Sequence, residues 1–244
     1  FVAENMGEFP KAAGKFFPKL FLNACLDGEY PLEIKPEPGI KYVMGIDYGL
    51  LLNPTQITVF SIAHGVARLV FWEEISPAPP DLGTRDYDPI INRVKQIFHK
   101  YKGQIYRIFP DATAAGIQIT AQLCKGHNAI PRSRIYSNET AAKKEVLGVW
   151  VTGPYKHDML QNYRQIIMDG RLKLPGTEPF WTKFRMEHEH VQVQKVQGTA
   201  NYLKFKEPVG GTIDLMDSMV LACLALSRKM VQPLLEFKAW GVQG

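Results

Sequence analysis

KYVMGIDYGLLLNPTQITVFSI (residues 41–62) decides how this chain is read. Val43, Met44 and Ile46 mark residues 41–47 as a buried strand, yet the strand closes on a carboxylate, Asp47, bracketed by Gly45 and Gly49. A second strand is expected at 56–63 and a third at 66–75 (VARLVFWEEI), with AHG at 63–65 turning the pair into a hairpin. In sheets of the α/β class, ligands sit beyond the carboxyl ends of the strands. Asp47 occupies such a place, and the two glycines would let backbone and substrate pass close to it.

Working outward, Ile90, Val94, Ile97 and Phe98 form the apolar stripe of a helix over 89–100. QIYRIFPD at 104–111 is a fourth strand that also ends on a carboxylate, Asp111. ATAAGIQITAQLCK then turns into a helix, AIPRSRIY at 129–136 carries a further short strand, and a helix is expected near 139–147. In YKHDMLQNYRQIIMDG, Tyr155, Met159, Tyr163 and Ile166 or Ile167 recur at helical spacing, with Gly170 as the stop. Strands are expected at 190–196 and 201–207, and a last helix from near Ile213 to about Lys229. A three-strand meander followed by alternating strands and helices predicts a mixed α/β sheet with helices on both faces.

Residues 1–39 have no sustained period, and Pro31, Pro36 and Pro38 stiffen their end, so they read as a connector packed along a domain spanning 40–244. Phe1 opens directly into a segment that looks internal, as in a piece of a longer polypeptide. At 244 residues and 45% hydrophobic, the chain can bury one sizeable core or two modest ones without disulfide or metal staples. Cys25, Cys124 and Cys223 are too far apart for a metal knuckle and read as reduced, mostly buried thiols of an intracellular protein. The apolar run near 215–226 is too short to span a bilayer, so no membrane is expected. The net charge of +5 favours an anionic partner only weakly.

Taken singly, Asp47 and Asp111 also fit turn aspartates that satisfy nearby backbone donors. GGTIDLMDSMVLACLALSRK adds Asp214 and Asp217, three residues apart in the first turns of a helix otherwise apolar all round. One of them fits an N-terminal cap. Two carboxylates on one face of a buried helix repel, and a divalent cation removes that objection. Asp47, Asp111, Asp214 and Asp217 would then form an all-oxygen cluster suited to Mg²⁺ or Mn²⁺, not zinc. Two such ions about 4 Å apart activate water and stabilise the leaving oxygen in phosphodiester hydrolysis.

The order GIDYG, FPDATAAG and DLMDSMVLA resembles the nuclease domain of the large terminase subunits of tailed double-stranded DNA viruses, over most of the chain. The opening FVAENMGEFPKAAGKFFP is similar to the segment joining that family's ATPase motor to the nuclease, and YRQIIMDGRLKLP to its helix-then-strand pattern. The resemblance implies a ribonuclease H-like fold and a metal-dependent endonuclease that cuts concatemeric viral DNA during genome packaging. It implies Asp47 and Asp111 as the first two metal ligands, with Asp214 and Asp217 from the final helix. The sequence departs at Thr212 and Ile213, where histidine and aspartate usually stand, leaving four candidates instead of five. The partners implied are double-stranded DNA, an upstream ATPase domain, the portal protein, the small terminase subunit and other large-subunit copies. The place of action would be the host-cell cytoplasm, at the capsid portal. GxxxxGK[ST] does not occur in the sequence, so ATP hydrolysis is not expected of these residues.

For DNA, Arg132, Arg134, Lys143 and Lys144 are the leading phosphate contacts, because their segments follow the strand ending at Asp111. Lys195, Lys204 and Lys206 lie on a two-stranded hairpin that is either a DNA-facing element or a solvated edge guarded by charge. Alternation on a strand would put His188 and His190 on one face, with Glu187 and Glu189 opposite, but without a third ligand they read as structural or surface histidines. Asp86, Asp88 and Glu73 or Glu74 are further carboxylates for the metal site, Glu73 first among them. Two rivals remain: another ribonuclease H-like nuclease, such as a junction resolvase or transposase, and a non-catalytic DNA-binding or assembly module whose carboxylates are caps and turn residues.

Overall fold

The computed structural model describes residues 15–49, 53–76, 87–195, 203–206 and 211–227. Strands β1 (Lys41–Asp47), β2 (Thr55–Ala63) and β3 (Val66–Ile75) form the antiparallel meander, and β4 (Ile105–Pro110) runs parallel to β1 on its other edge. The short β5 (Leu172–Lys173) adds to β3, giving the order β4-β1-β2-β3-β5. His64 and Gly65, both at positive φ, make the tight β2–β3 turn.

Alternation along β1 divides the core into two layers. Tyr42, Met44 and Ile46 face α2 (Asp88–Lys100) and α3 (Gly116–Leu123), with Ile90, Val94 and Ile97 of α2 and Ile119 of α3 buried against them. Val43 faces the opposite layer, made of α5 (Gly153–Met168), α6 (Phe180–His190) and α7 (Asp214–Cys223). Helices therefore cover both faces of a mixed sheet, which is the ribonuclease H-like architecture. Phe16, Phe17, Leu22 and Cys25, around the short helix α1 (Lys19–Ala24), are buried in the α5–α7 layer. All three cysteines are free, with Cys25 and Cys223 buried and Cys124 half-buried. Among the described residues, no helix is long and apolar enough to cross a membrane.

Four expectations need correction. Residues 129–136 are not a strand: Arg132–Arg134 form a 3-10 turn, and Ile135 makes only an isolated bridge to Ile108. Pro131 cannot donate a ladder hydrogen bond there. The helix expected over 139–147 is α4 (Glu139–Lys143), which stops early because the chain reverses through Glu145 and Gly148 at positive φ to bring Val149 alongside Asp111. Residues 190–191 are not strand, because α6 continues to His190; β6 (Gln192–Lys195) begins after it and pairs with β7 (Leu203–Lys206). The last helix is α-helical only to Cys223, then a 3-10 turn at Leu224–Leu226; residues 228–229 lie outside the described residues.

At Gly45 the backbones of β1 and α7 come into direct contact. A methyl group placed on Gly45 would lie 2.0 Å from the Ser218 carbonyl oxygen and 2.8 Å from the Ala222 nitrogen. Ser218 Oγ donates to the Gly45 carbonyl (3.2 Å) and lies 2.9 Å from Thr58 Oγ1 on β2. Gly45 is thus required by helix packing and not by substrate approach. Gly49 is likewise crowded by its own chain, 2.0 Å from the Asn53 oxygen by the same construction, while its N–H donates to Thr55 Oγ1. Gly45→Ala should lower the unfolding free energy by about 3 kcal/mol or more, because helix and strand must separate. Chemical denaturation measures it, and a change below about 0.5 kcal/mol, the range of neutral surface substitutions, would contradict the packing described.

Candidate functional site

Asp47 ends β1 and Asp111 follows the last residue of its parallel neighbour β4, so the sheet itself sets the two carboxylates side by side. Asp47 has the parity of Val43 and Gly45, and Asp111 that of Phe109, which places both on the α7 face. Because Gly45 meets Ser218 and Ala222, the N-terminal turn of α7, carrying Asp214 and Asp217, lies toward the Asp47 end of β1. Asp214 is buried and Asp217 half-buried. Ile213, where the resembled family has an acid, is buried in the α5–α7 core layer.

The four carboxylates share one electrostatic neighbourhood. Burial pushes the Asp47 carboxyl well above the ordinary carboxylate range, and the charges of Asp217, Asp111 and Asp214 push it further, with Lys156 opposing. Asp111 is raised chiefly by burial, held in check by hydrogen bonds from Thr113, whose N–H donates to Oδ1 at 2.7 Å. That contact is the turn role open to Asp111 from the sequence, and it leaves the carboxylate facing the same cleft. Among the described residues, no group of three or more His, Cys, Asp or Glu side chains is arranged to hold a metal ion. A lysine enters the neighbourhood instead: Lys156 Nζ lies 2.6 Å from Asp217 Oδ2. Burial works against the Lys156 charge, but Asp217, Asp47 and Asp111 outweigh it and hold the ammonium protonated. The four aspartates offer carboxylate oxygens, the donor class of a hard divalent cation, and outnumber the one lysine among them.

Glu187 also belongs to this region. It is buried on α6, and its Oε2 accepts from the Met216 N–H (2.8 Å), satisfying an otherwise free donor at the start of α7. Lys183 lies 3.3 Å from Glu187 and 3.0 Å from Glu74, and Gln56, opposite Asp47 in the β1–β2 register, donates to Glu74 (2.7 Å). A polar chain thus runs behind the site from α6 across the sheet. Lys156 and Glu187 carry no local motif; Asp217 and the Met216 N–H, which they meet, are distant in sequence.

Other expected residues fall elsewhere. A bulge in β3 leaves Val70 unpaired between the Phe60–Leu69 and Val59–Phe71 pairs, which swaps the faces of the residues beyond it. Glu73 therefore points to the α2 side, where Arg93 Nε donates to both its oxygens (2.9 and 2.8 Å), and Glu74 faces the α7 side. Asp88 opens α2, in that same opposite layer, and Asp86 lies outside the described residues. His188 and His190 are on helix α6 and not on a strand. His188 is buried between Tyr163 Oη and the Phe184 carbonyl, and burial lowers it to about 3, while His190 is exposed. His157 accepts the Leu203 N–H (3.1 Å), tying α5 to β7.

Of the basic residues, Arg132 is exposed and Arg134 half-buried on the 3-10 turn beside β4. Lys143 is exposed and paired with Glu139 (2.7 Å), and Lys144 rests over the Trp150 ring (4.5 Å). Lys204 is exposed on β7; the side chains of Lys195 and Lys206 lie outside the described residues.

No protein-family description and no curated protein matches the sequence. Solved structures do. The large terminase nuclease of thermophilic phage G20c with bound magnesium superposes with a TM-score of 0.62 at 15% identity, covering 87% of this chain and 98% of that one. The HK97 bacteriophage large terminase gives a TM-score of 0.55 at 18% identity, covering 87% of this chain and 43% of that one. The Thermus phage P74-26 large terminase nuclease domain gives 0.53 at 14% identity, over 83% and 91%. At these identities the likeness is one of fold.

Burial lifts Glu187 to about 7, with the Met216 N–H and Lys183 opposing and Asp214 adding to the rise. An acid raised in the folded state contributes stability that is full below its ordinary value near 4.5 and is lost as pH rises through about 7. Glu187→Gln keeps an acceptor for Met216 but does not titrate. In EDTA, the stability of the wild type relative to Glu187→Gln should therefore fall by about 3 kcal/mol between pH 4.5 and 8. Denaturation across that range checks it; a pH-independent difference would refute the assignment.

Proposed function

We propose that the chain is a divalent-metal-dependent DNA endonuclease domain that cuts concatemeric viral double-stranded DNA during genome packaging. The observation that carries this reading is the meeting of Asp47, Asp111, Asp214 and Asp217 in one electrostatic neighbourhood at the carboxyl ends of β1 and β4. The fold shared with phage large-terminase nucleases supports it, and so do the magnesium, cobalt and zinc found bound in the G20c enzyme.

In this reading Asp47, Asp111, Asp214 and Asp217 are the carboxylates that hold Mg²⁺ or Mn²⁺, as one ion or two. Divalent ions, when bound, supply Lewis acidity for the attacking water and charge for the leaving 3′ oxygen. The protein's own part is positional. The parallel β1–β4 pair fixes Asp47 against Asp111, Glu187 holds the start of α7, and Thr113 orients the Asp111 carboxylate. Arg132, Arg134, Lys143, Lys144, Lys195 and Lys204 contact phosphates and fix the duplex without reading its sequence. The partners are the upstream ATPase domain, the portal protein, the small terminase subunit and other copies of the large subunit, at the capsid portal in the host-cell cytoplasm.

Supercoiled plasmid should be nicked and linearised with Mn²⁺ or Mg²⁺ and left intact in EDTA. Asp47→Asn should lower the rate by more than the 10–100-fold (an order-of-magnitude range) that loss of an outer supporting group costs. Cleavage of four-way junctions in preference to linear duplex would favour the resolvase reading. Tight DNA binding without cleavage in any metal would favour a non-catalytic module. Arg132→Ala and Arg134→Ala should each weaken binding about equally on unrelated duplexes and reduce the salt slope by about one. A loss confined to one sequence would contradict a backbone role.

A further inference from the structure

Lys156 is an unusual residue for its position. It lies in the first turn of α5, where the unpaired N–H groups of a helix already present positive charge and a cation is disfavoured. The fold nevertheless directs it to the acids. Val149 pairs with the end of β4, its N–H donating to the Pro110 carbonyl (2.8 Å) and its carbonyl accepting from Ala112 (2.9 Å). Two residues on, the Val151 N–H donates to Thr113 Oγ1 (3.3 Å), and Thr152 then caps α5 by accepting from the Tyr155 N–H. The segment that starts α5 is therefore fixed to the strand that carries Asp111.

Lys156 and Asp217 both line a cleft with Asp111, walled by Val151, Met159, Val220 and Leu221. Their side chains are 29% and 22% exposed, so the 2.6 Å ion pair is partly shielded from bulk water. Lys183, the cation on the other side of the α7 start, is committed to Glu74 and Glu187. The oxygen that accepts the lysine, Asp217 Oδ2, belongs to one of the carboxylates that the metal-dependent reading assigns to the ion. A lysine is suited to giving such a contact up, because its compact ammonium sits on a flexible four-carbon stem.

We propose that Lys156 is a tethered counter-ion of the acidic site: it neutralises the converging carboxylates when no divalent ion is present and is displaced from Asp217 when one binds. The proposal rests on the metal-dependent reading above. Its consequence is a twofold role. Lys156 keeps the metal-free fold from flying apart under carboxylate repulsion, and it raises the concentration of divalent ion at which the site fills. An ion pair that only braced α5 against α7 would have the first effect and not the second.

The test uses the full chain, Mn²⁺ alone as the probe, calorimetric titration for affinity and thermal unfolding in EDTA for the metal-free state. Lys156→Met should melt at a lower temperature in EDTA and bind Mn²⁺ about tenfold more tightly, a modest fraction of the attraction between close charges. Lys156→Arg keeps the charge and grips a carboxylate through two donors, so it should bind Mn²⁺ more weakly than the wild type; it also covers the case in which Lys156→Met fails to fold. Equal or weaker Mn²⁺ binding by a folded Lys156→Met, or unchanged binding by Lys156→Arg, overturns the proposal while the metal reading stands. Absence of Mn²⁺ binding in wild type and variants alike overturns both.

Discussion

The contact between Gly45 and α7 governs the rest of the structure. With no side chain at the middle of β1, the α7 backbone lies directly on the strand, and the Ser218 hydroxyl fastens it to the Gly45 carbonyl. That contact fixes the helix in register as well as in distance. The residue two positions after Gly45 and the residues one and four positions before Ser218 are the acids Asp47, Asp217 and Asp214. A side chain at position 45 would lift the helix and move half of the carboxylates away from the other half. The sheet contributes the remaining constraint, since parallel pairing of β1 with β4 sets Asp111 beside Asp47 whatever α7 does. The site is thus in large part a consequence of backbone packing.

Bringing like charges together opposes folding unless something compensates, and the start of α7 is compensated from two sides. On one side the Lys156 ammonium meets Asp217, and on the other Glu187 accepts the Met216 N–H while Lys183 balances Glu187. The helix dipole adds to this, because both aspartates stand in the first turn, where negative charge is favoured. The two flanking arrangements differ in kind. Glu187 binds backbone and is part of a network reaching Glu74 and Gln56, so moving it disturbs α6 and the sheet. Lys156 instead binds a side-chain oxygen, through an ammonium at the end of a flexible stem.

Much of this was legible in the sequence, for identifiable reasons. The β2–β3 hairpin, α2, α5 and the four carboxylate positions follow from short-range signals: alternation, helical stripes, and a charged residue at the end of an apolar run. Other features depended on distant contacts. Whether Glu73 or Glu74 faces the α7 side is set by the bulge at Val70, a single unpaired residue that no local pattern announces. His188 and His190 alternate with Glu187 and Glu189 as side chains on a strand would, yet all four belong to α6, because Phe180, Phe184, Glu187 and His188 together bury one helical face. Glycines 45 and 49 were recognisable as special, but the sequence suggested room for substrate where the structure has the chain's own backbone.

Lys156 illustrates the limit most clearly. In sequence it is one basic residue among 29, in a segment whose legible feature is the apolar stripe of Tyr155, Met159 and Tyr163. Its partner lies 61 residues away. The link is made by the return of Val149–Val151 along β4, which carries the start of α5 to the sheet end where the acids gather. Carboxylates declare themselves at strand ends and helix starts because those places shape their chemistry locally. A counter-ion can come from any element that passes within a side chain's reach, so only the folded chain identifies it.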